Sequence, residues 1–237
     1  MKIGKALRAC CNLAYWPALS RGVVPTIEHV SALAALRPDT IIDVGANKGQ
    51  FSAMAARLWP EADLIAFEPL PDQADKFASH LEKRATLHRC ALAAVQGEME
   101  LHIASRADSS SLLPLDDRQK SMFGMEEIGL LTVPVYRLDS MVTAQLRPGR
   151  TLLKIDVQGL EYEVLLGAKG LLGSIEWIFV EASFMELYTG QRLFPEIEKL
   201  LDGYGYKEIG RFHMVSDEKD EPVQADILFQ KRKGEIC

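Results

Sequence analysis

Apolar and polar positions along the chain alternate between two rhythms. Short continuous apolar runs, Thr40-Ile41-Ile42-Asp43-Val44, Leu64-Ile65-Ala66-Phe67, Thr151-Leu152-Leu153-Lys154-Ile155 and Trp177-Ile178-Phe179-Val180, read as strands buried on both faces. Between them the period lengthens. Residues 50–58 place Phe51, Met54, Ala55 and Leu58 on one side of a helix that Trp59-Pro60 ends. A second helix is predicted from Asp72 to Lys83 with Phe77 and Leu81 inward, and others at Gly159 to Leu166 and Phe194 to Leu201. This alternation predicts an α/β domain built on a mainly parallel sheet with helices on both faces.

The remaining pattern is weaker. Ile27, Val30, Leu33 and Leu36 stand at helical spacing before Pro38-Asp39, which predicts a helix packed against the domain near the entrance of a site. A third strand near Thr86 to Cys90 leads to a hairpin-like pair around Gly97, with a further extended segment at Leu131 to Tyr136 and a short helix start at Leu138 to Val142. Tyr206 to Phe212 and Ala225 to Gln230 are expected to form a terminal antiparallel pair, joined by the polar stretch Ser216 to Glu221. Residues 108–124 are polar, serine-rich and aperiodic, and read as a surface excursion or lid in which substrate selectivity could reside.

With 237 residues, 48% of them apolar, the chain supports one large core; the expected division is a helical lead-in at 1–38 and a single domain at 39–237. The balance of 27 basic against 33 acidic residues, a formal charge of -6, disfavours a nucleic-acid surface and suits a small or neutral substrate. Cys10, Cys11, Cys90 and Cys237 fit neither a zinc pattern nor a disulfide framework, so reduced thiols and a cytoplasmic setting are expected. Lys2, Lys5 and Arg8 precede an apolar stretch that Asn12 and Pro17 interrupt, which reads as helix rather than as a targeting segment, and no run is long enough to span a bilayer.

The chemistry concentrates at strand ends. Asp43-Val44-Gly45-Ala46-Asn47-Lys48-Gly49 closes the first strand, and Glu68-Pro69 closes the second, nineteen residues after Gly49. A glycine turn followed by a helix, with an acid at the end of the next strand, is the layout of a nucleoside pocket in which the acid accepts the two hydroxyls of a ribose. The spacing lacks the middle glycine that admits a pyrophosphate, so Asp43 suits a sulfonium or hydroxylated cofactor, reached directly or through water, better than a dinucleotide. Leu70, Ala91 and Leu92 are placed to flank an adenine. Asp156 ends the most apolar of these strands, with Lys154 on the same strand face, and Glu181 ends the next strand within reach of it. The pair suits either general-base work or a divalent cation such as Mg²⁺, and Glu161 suits a helix start. His29, His88 and His213 stand singly, without ligand spacing.

These residues resemble the FkbM family of S-adenosylmethionine-dependent methyltransferases. Three blocks carry the likeness: Ile42 to Ser52, Ile65 to Pro69 and Leu153 to Glu161; Ser109-Ser110-Ser111-Leu112, Val133 to Asp139 and Val180-Glu181 follow in the family's order. The resemblance implies a class I methyltransferase fold, Rossmann-like, with a seven-stranded sheet whose last strand is antiparallel. It implies S-adenosyl-L-methionine held by Asp43, Gly45, Asn47, Gly49, Glu68 and Pro69, with the methionine portion near the glycines and the ribose on Glu68. It also implies O-methylation of a sugar, glycan or related hydroxyl, with Asp156 and Glu181 the candidate catalytic residues, and peripheral membrane contact if the acceptor is lipid-linked. The acceptor pocket is expected around Ser109 to Met125 and Met185 to Arg192. An NAD-dependent oxidoreductase and a non-catalytic protein that keeps the fold are the competing readings.

Overall fold

The computed structural model describes residues 15–142, 146 and 150–232, so the expected lead-in before residue 15 and three of the four cysteines lie outside the described residues. In chain order the elements are α1 (Trp16–Leu19), a 3-10 turn at Ile27–His29, α2 (Val30–Leu33), β1 (Thr40–Val44), α3 (Gln50–Leu58), β2 (Asp63–Phe67), α4 (Pro71–Leu81), β3 (Thr86–His88), β4 (Ala91–Leu92), β5 (Gly97–Ala104), a 3-10 turn at Ala107–Ser109 and α5 (Asp117–Phe123). They continue with β6 (Glu127–Tyr136), α6 (Leu138–Met141), β7 (Thr151–Ile155), α7 (Glu161–Gly167), β8 (Trp177–Ser183), α8 (Phe194–Gly203), β9 (Tyr206–Ser216) and β10 (Pro222–Lys231).

The main sheet has the order β3-β2-β1-β7-β8-β10-β9. β10, the last strand of the chain, runs antiparallel to both its neighbours, while the pairs from β3 to β8 are parallel. This is the class I methyltransferase arrangement that the resemblance implied. Register aligns the strand ends: Val44 pairs with Phe67 and with Ile155, and Ile155 with Val180. The chain therefore delivers Gly45, Glu68, Asp156 and Glu181 to one edge, at the point where the strand order reverses on either side of β1.

The period of two then sorts side chains between faces. Ile42, Val44, Leu153, Ile155, Ile178 and Val180 pack with Val164, Leu165, Ile197 and Leu201 of α7 and α8. On the opposite face Ile41, Leu152, Phe179 and Leu228 pack with Leu33, Phe51 and Met54 of α2 and α3. Asp43, Lys154, Glu181 and Asp226 follow the second phase, so that face turns from apolar to ionisable as it reaches the carboxyl edge. Neighbouring strands bring Asp43 beside Lys154 and Glu181 beside Asp226 in register.

Three expectations are corrected. β4 and β5 do not form a hairpin around Gly97: both pair with β6, one on each side, in a separate three-stranded sheet. The polar interval 108–124 contains a helix, α5, which Asp116 caps by accepting the Arg118 backbone N–H, and its serines Ser109 and Ser111 are buried. The aperiodicity arose because Ser111 packs by polar bonds rather than by an apolar face: its hydroxyl donates to the Gln158 carbonyl at 2.5 Å. Glu181 does not end its strand, since β8 continues to Ser183 through pairing with β10. Among the described residues no helix is long and apolar enough to cross a membrane.

Candidate active site

The turn after β1 is shaped by the protein's own packing. Gly45 has φ +76°, and a Cβ placed on it would stand 1.8 Å from the Asp156 carbonyl oxygen. Gly49 has φ +86° and caps α3, and its Cβ would meet Leu81 and Phe77 at 2.7 and 2.9 Å. Both glycines are thus required by neighbouring strands and helices, before any ligand approaches. Asn47 also adopts a positive φ, of 48°, and its Oδ1 accepts the Lys48 N–H at 2.7 Å.

Asp43 is fully buried. Its Oδ2 accepts the Ser52 hydroxyl at 2.6 Å, and its Oδ1 lies 3.0 Å from Lys154 Nζ. Lys154 also donates to the Gly45 carbonyl at 2.8 Å and stands 3.8 Å from Asp156. Burial pulls the Lys154 ammonium down, but the charges of Asp43 and Asp156 outweigh it and leave its pKa above the ordinary lysine value. Asp43 therefore holds the turn and Lys154 in place, and Lys154 rather than Asp43 lines the cavity beyond it.

Glu68 is 5% exposed. Its two oxygens accept the backbone N–H groups of Asn47 at 2.7 Å and of Leu70 at 2.9 Å. Burial raises its carboxyl to about 7 against the opposing pull of these amides. Each oxygen keeps a second lone pair, so a diol can still be accepted.

Three cavities run along the carboxyl edge. An apolar one is lined by Phe67, Pro69, Leu70, Ala91, Leu92 and Leu112, and also by Gly45 and Glu68. A polar one shares Gly45 and Glu68 with the first and adds Asn47, His29, Lys154 and Asp156. A third shares Asp156 with the second and is lined by Arg106, Gln119, Met125, Gln158, Glu181 and Gln224, among others. Glu68 is common to the first two, and Asp156 to the last two.

Gln158 joins the two carboxylates named from the sequence. Held at φ +58°, it donates through Nε2 to Asp156 at 2.7 Å and to Glu181 at 2.6 Å. Its own Oε1 accepts the Tyr188 hydroxyl at 2.8 Å, and that hydroxyl accepts from Gln119 at 3.1 Å. Burial, then the charges of Asp156, Asp226 and Glu161, raise Glu181 well above the usual carboxylate range. Glu161 instead serves the backbone. Its oxygens accept the Gly159 N–H at 3.0 and 3.1 Å and the Val157 N–H at 3.2 Å, fixing the turn that presents Gln158. With the Gln158 amide between them and an ammonium 3.8 Å from Asp156, Asp156 and Glu181 are served by hydrogen donors, which does not fit a shared Mg²⁺.

Residues 43–208 match the family model described as the methyltransferase FkbM domain. The chain belongs to the FkbM methyltransferase family. Its relatives include the 2-O-methyltransferase NoeI of Sinorhizobium fredii, 29% identical over 207 residues that cover 83% of this chain and 82% of that protein. A second is the hexuronic acid methyltransferase AglP of Haloferax volcanii, 24% identical over 169 residues, 68% of this chain and 66% of that one. Among solved structures it is similar to Aeropyrum pernix fibrillarin with bound S-adenosyl-L-methionine, with a TM-score of 0.47 and 14% identity over 91% of this chain and 75% of that one. As an FkbM enzyme the chain is an S-adenosylmethionine-dependent methyltransferase, which sets aside the oxidoreductase reading.

Within this FkbM domain the fold brings Gly45, Asn47, Glu68 and Pro69 to one pair of cavities, with Leu70, Ala91 and Leu92 in the apolar one. Residues 109–125 reach the third cavity as expected, whereas the 185–192 segment contributes through Tyr188 behind Gln158. Gln158 as the bridge, His29 at the polar cavity and the pairing of His29 with His213 were not legible. Residues so far apart in the chain carry no spacing signal, and a glutamine between two acids is read from sequence as solvated.

Proposed function

We propose that this chain transfers the methyl group of S-adenosyl-L-methionine to a hydroxyl of a sugar or glycan. The observation that carries the reading is the Asp156–Gln158–Glu181 arrangement at the junction of two polar cavities. The activities for which NoeI and AglP are named, a 2-O-methyltransferase and a hexuronic acid methyltransferase, support a carbohydrate acceptor.

In this reading Leu70, Ala91 and Leu92 would hold the adenine, Glu68 the ribose diol and the residues about Asn47 the methionine portion, so that the methyl group would be supplied on the Asp156 side, where the third cavity would admit the acceptor. The acceptor oxygen attacks the methyl carbon in line with sulfur; the C–O bond forms as the C–S bond breaks, and S-adenosylhomocysteine leaves with its sulfur uncharged. Alignment in a site screened from water supplies most of the acceleration. The hydroxyl proton passes to Asp156, the half-exposed member of the pair. Burial and the neighbouring carboxylates favour the protonated form of Glu181, and Gln158 bonds both carboxyl groups.

The test is S-adenosylhomocysteine release with hexoses, uronic acids and their glycosides as acceptors. Asp156→Asn is expected to lower kcat by about 10²–10⁴, while its cofactor Kd stays within about threefold of wild type. Glu181→Gln reproduces a protonated acid and is expected to keep activity within about tenfold. Full activity in Asp156→Asn would overturn the base assignment; cofactor binding without transfer to any carbohydrate would overturn the acceptor class.

A further inference from the structure

On the same sheet face a second cluster adjoins this machinery, meeting the polar cavity at His29. Asp226 Oδ2 lies 2.7 Å from His213 Nδ1 and 3.2 Å from His29 Nε2. The three ligand atoms all fall within 4.8 Å of one another. His29 ends the 3-10 turn that precedes α2, His213 lies on β9 and Asp226 on β10, so the cluster ties the segment before the domain's first strand to its last hairpin.

The backbone departs from regular geometry to form this group. Asp226 pairs with Phe212, so a regular strand would turn His213 to the opposite face. Instead β9 and β10 lose register between Gln224 and Asp226, and His213 takes φ +48°, a strained conformation for a non-glycine residue. The bulge aims the imidazole back at Asp226. His29 is fixed from the other side by Phe51 and Phe179, with ring centroids 6.0 and 5.2 Å away. Asp226 and His29 side chains are each 14% exposed and His213 is 35% exposed, so the group is half-buried and opens to solvent on the His213 side.

The chemistry is that of a transition-metal site. Two imidazole nitrogens and a carboxylate oxygen lying within 4.8 Å of one another can close on a borderline cation that replaces the protons between them. Metal bonds of about 2.0–2.2 Å in a tetrahedron separate ligand atoms by roughly 3.3–3.6 Å; the 3.2 Å spacing of His29 and Asp226 is close to this, and the 2.7 Å spacing of His213 and Asp226 must widen to admit the ion. Charge argues the same way: Asp43, Asp156 and Asp226 share this edge with the ammonium of Lys154, and a divalent ion held by two neutral imidazoles and Asp226 adds positive charge where the carboxylates outnumber it. We propose that His29, His213 and Asp226 bind a divalent transition-metal ion of the zinc class, with water from the adjoining polar cavity at the remaining position. The ion fastens the cavity wall that carries His29 to the β9–β10 hairpin, and takes no part in methyl transfer.

The test uses the full-length protein stripped of metal by chelation and titrated with Zn²⁺ by calorimetry and with Co²⁺ by absorption spectroscopy. Wild type is expected to take up one equivalent, with the intense visible bands of low-symmetry Co²⁺ and nitrogen ligands, and to gain about 5–10 °C in Tm at Zn²⁺ near 100 times Kd. His213→Ala and Asp226→Asn are each expected to weaken binding at least about 100-fold, and His102→Ala, an unrelated surface histidine paired with Glu127, to leave it unchanged. Circular dichroism and S-adenosyl-L-methionine binding report that each variant is folded. Folded wild type without metal uptake, or uptake unchanged in folded His213→Ala, would overturn the proposal; the latter would assign the metal to other groups such as the N-terminal thiols.

Discussion

Replacing Lys154 by methionine keeps most of the side chain's volume and removes its charge from between Asp43 and Asp156. Asp43 is then left fully buried with the Ser52 hydroxyl as its remaining polar partner. Removing one member of a buried ion pair costs about 3–5 kcal/mol. An independent limit comes from the escape open to the carboxyl, which is to take a proton. With an unfolded aspartate value near 3.9, protonation at pH 7 costs about 1.36 × 3.1, or roughly 4 kcal/mol, and at pH 5 about 1.5. The two figures agree, and the second fixes the sign. The folded variant binds a proton that its unfolded chain does not, so its stability falls as pH rises, by about 1.4 kcal/mol per unit, and its deficit against wild type shrinks as pH falls toward 4. Urea unfolding of both proteins at pH 5, 6 and 7 measures this difference. Substituting Asp43 by asparagine in the same chain is expected to remove most of the pH dependence, because no buried charge remains. A deficit that stays flat between pH 5 and 7, or one below about 1 kcal/mol at pH 7, would refute the view that the ion pair holds this turn.

Two further outcomes follow from the site. Glu68→Gln is expected to weaken S-adenosyl-L-methionine binding about 10–100-fold, the loss of one to two charge-assisted bonds. Because burial raises Glu68 to about 7 and a diol bonds the ionised form better, wild-type affinity should tighten as pH rises through that value and the variant's should not; titration calorimetry at pH 6 and 8 decides this, and parallel pH profiles would refute it. Gly45→Ala sets a Cβ against the Asp156 carbonyl at a positive φ, and should cost at least about 2 kcal/mol in urea unfolding; a change below a few tenths would show that the turn gives way freely.

The sheet was largely legible because buried parallel strands are apolar along most of their length, and β1, β2, β7 and β8 satisfy that apart from a few polar positions such as Asp43, Lys154 and Glu181. Helices α3 and α4 were legible for the complementary reason that each buries one stripe, Phe51, Met54 and Ala55 in one and Phe77 and Leu81 in the other. The 108–124 interval was misread because its inward residues, Ser109, Ser111 and Gln119, are polar and are satisfied by partners distant in sequence. The hairpin expected around Gly97 failed because β6 intervenes between β4 and β5, and pairing across an intervening strand leaves no local trace.

Glycine turns, strand-end acids and apolar runs are local properties, so the chain alone showed that the glycine turn and the acids Glu68 and Asp156 would gather at strand ends. Partner choice is not local. Only the tertiary structure decided that Asp43 pairs its charge with Lys154, that Gly45 is small to admit the Asp156 carbonyl, that Gln158 bridges Asp156 and Glu181, and that His29 and His213 converge on Asp226. Each of those contacts depends on strand order and register, which set distances between residues that no spacing along the chain encodes.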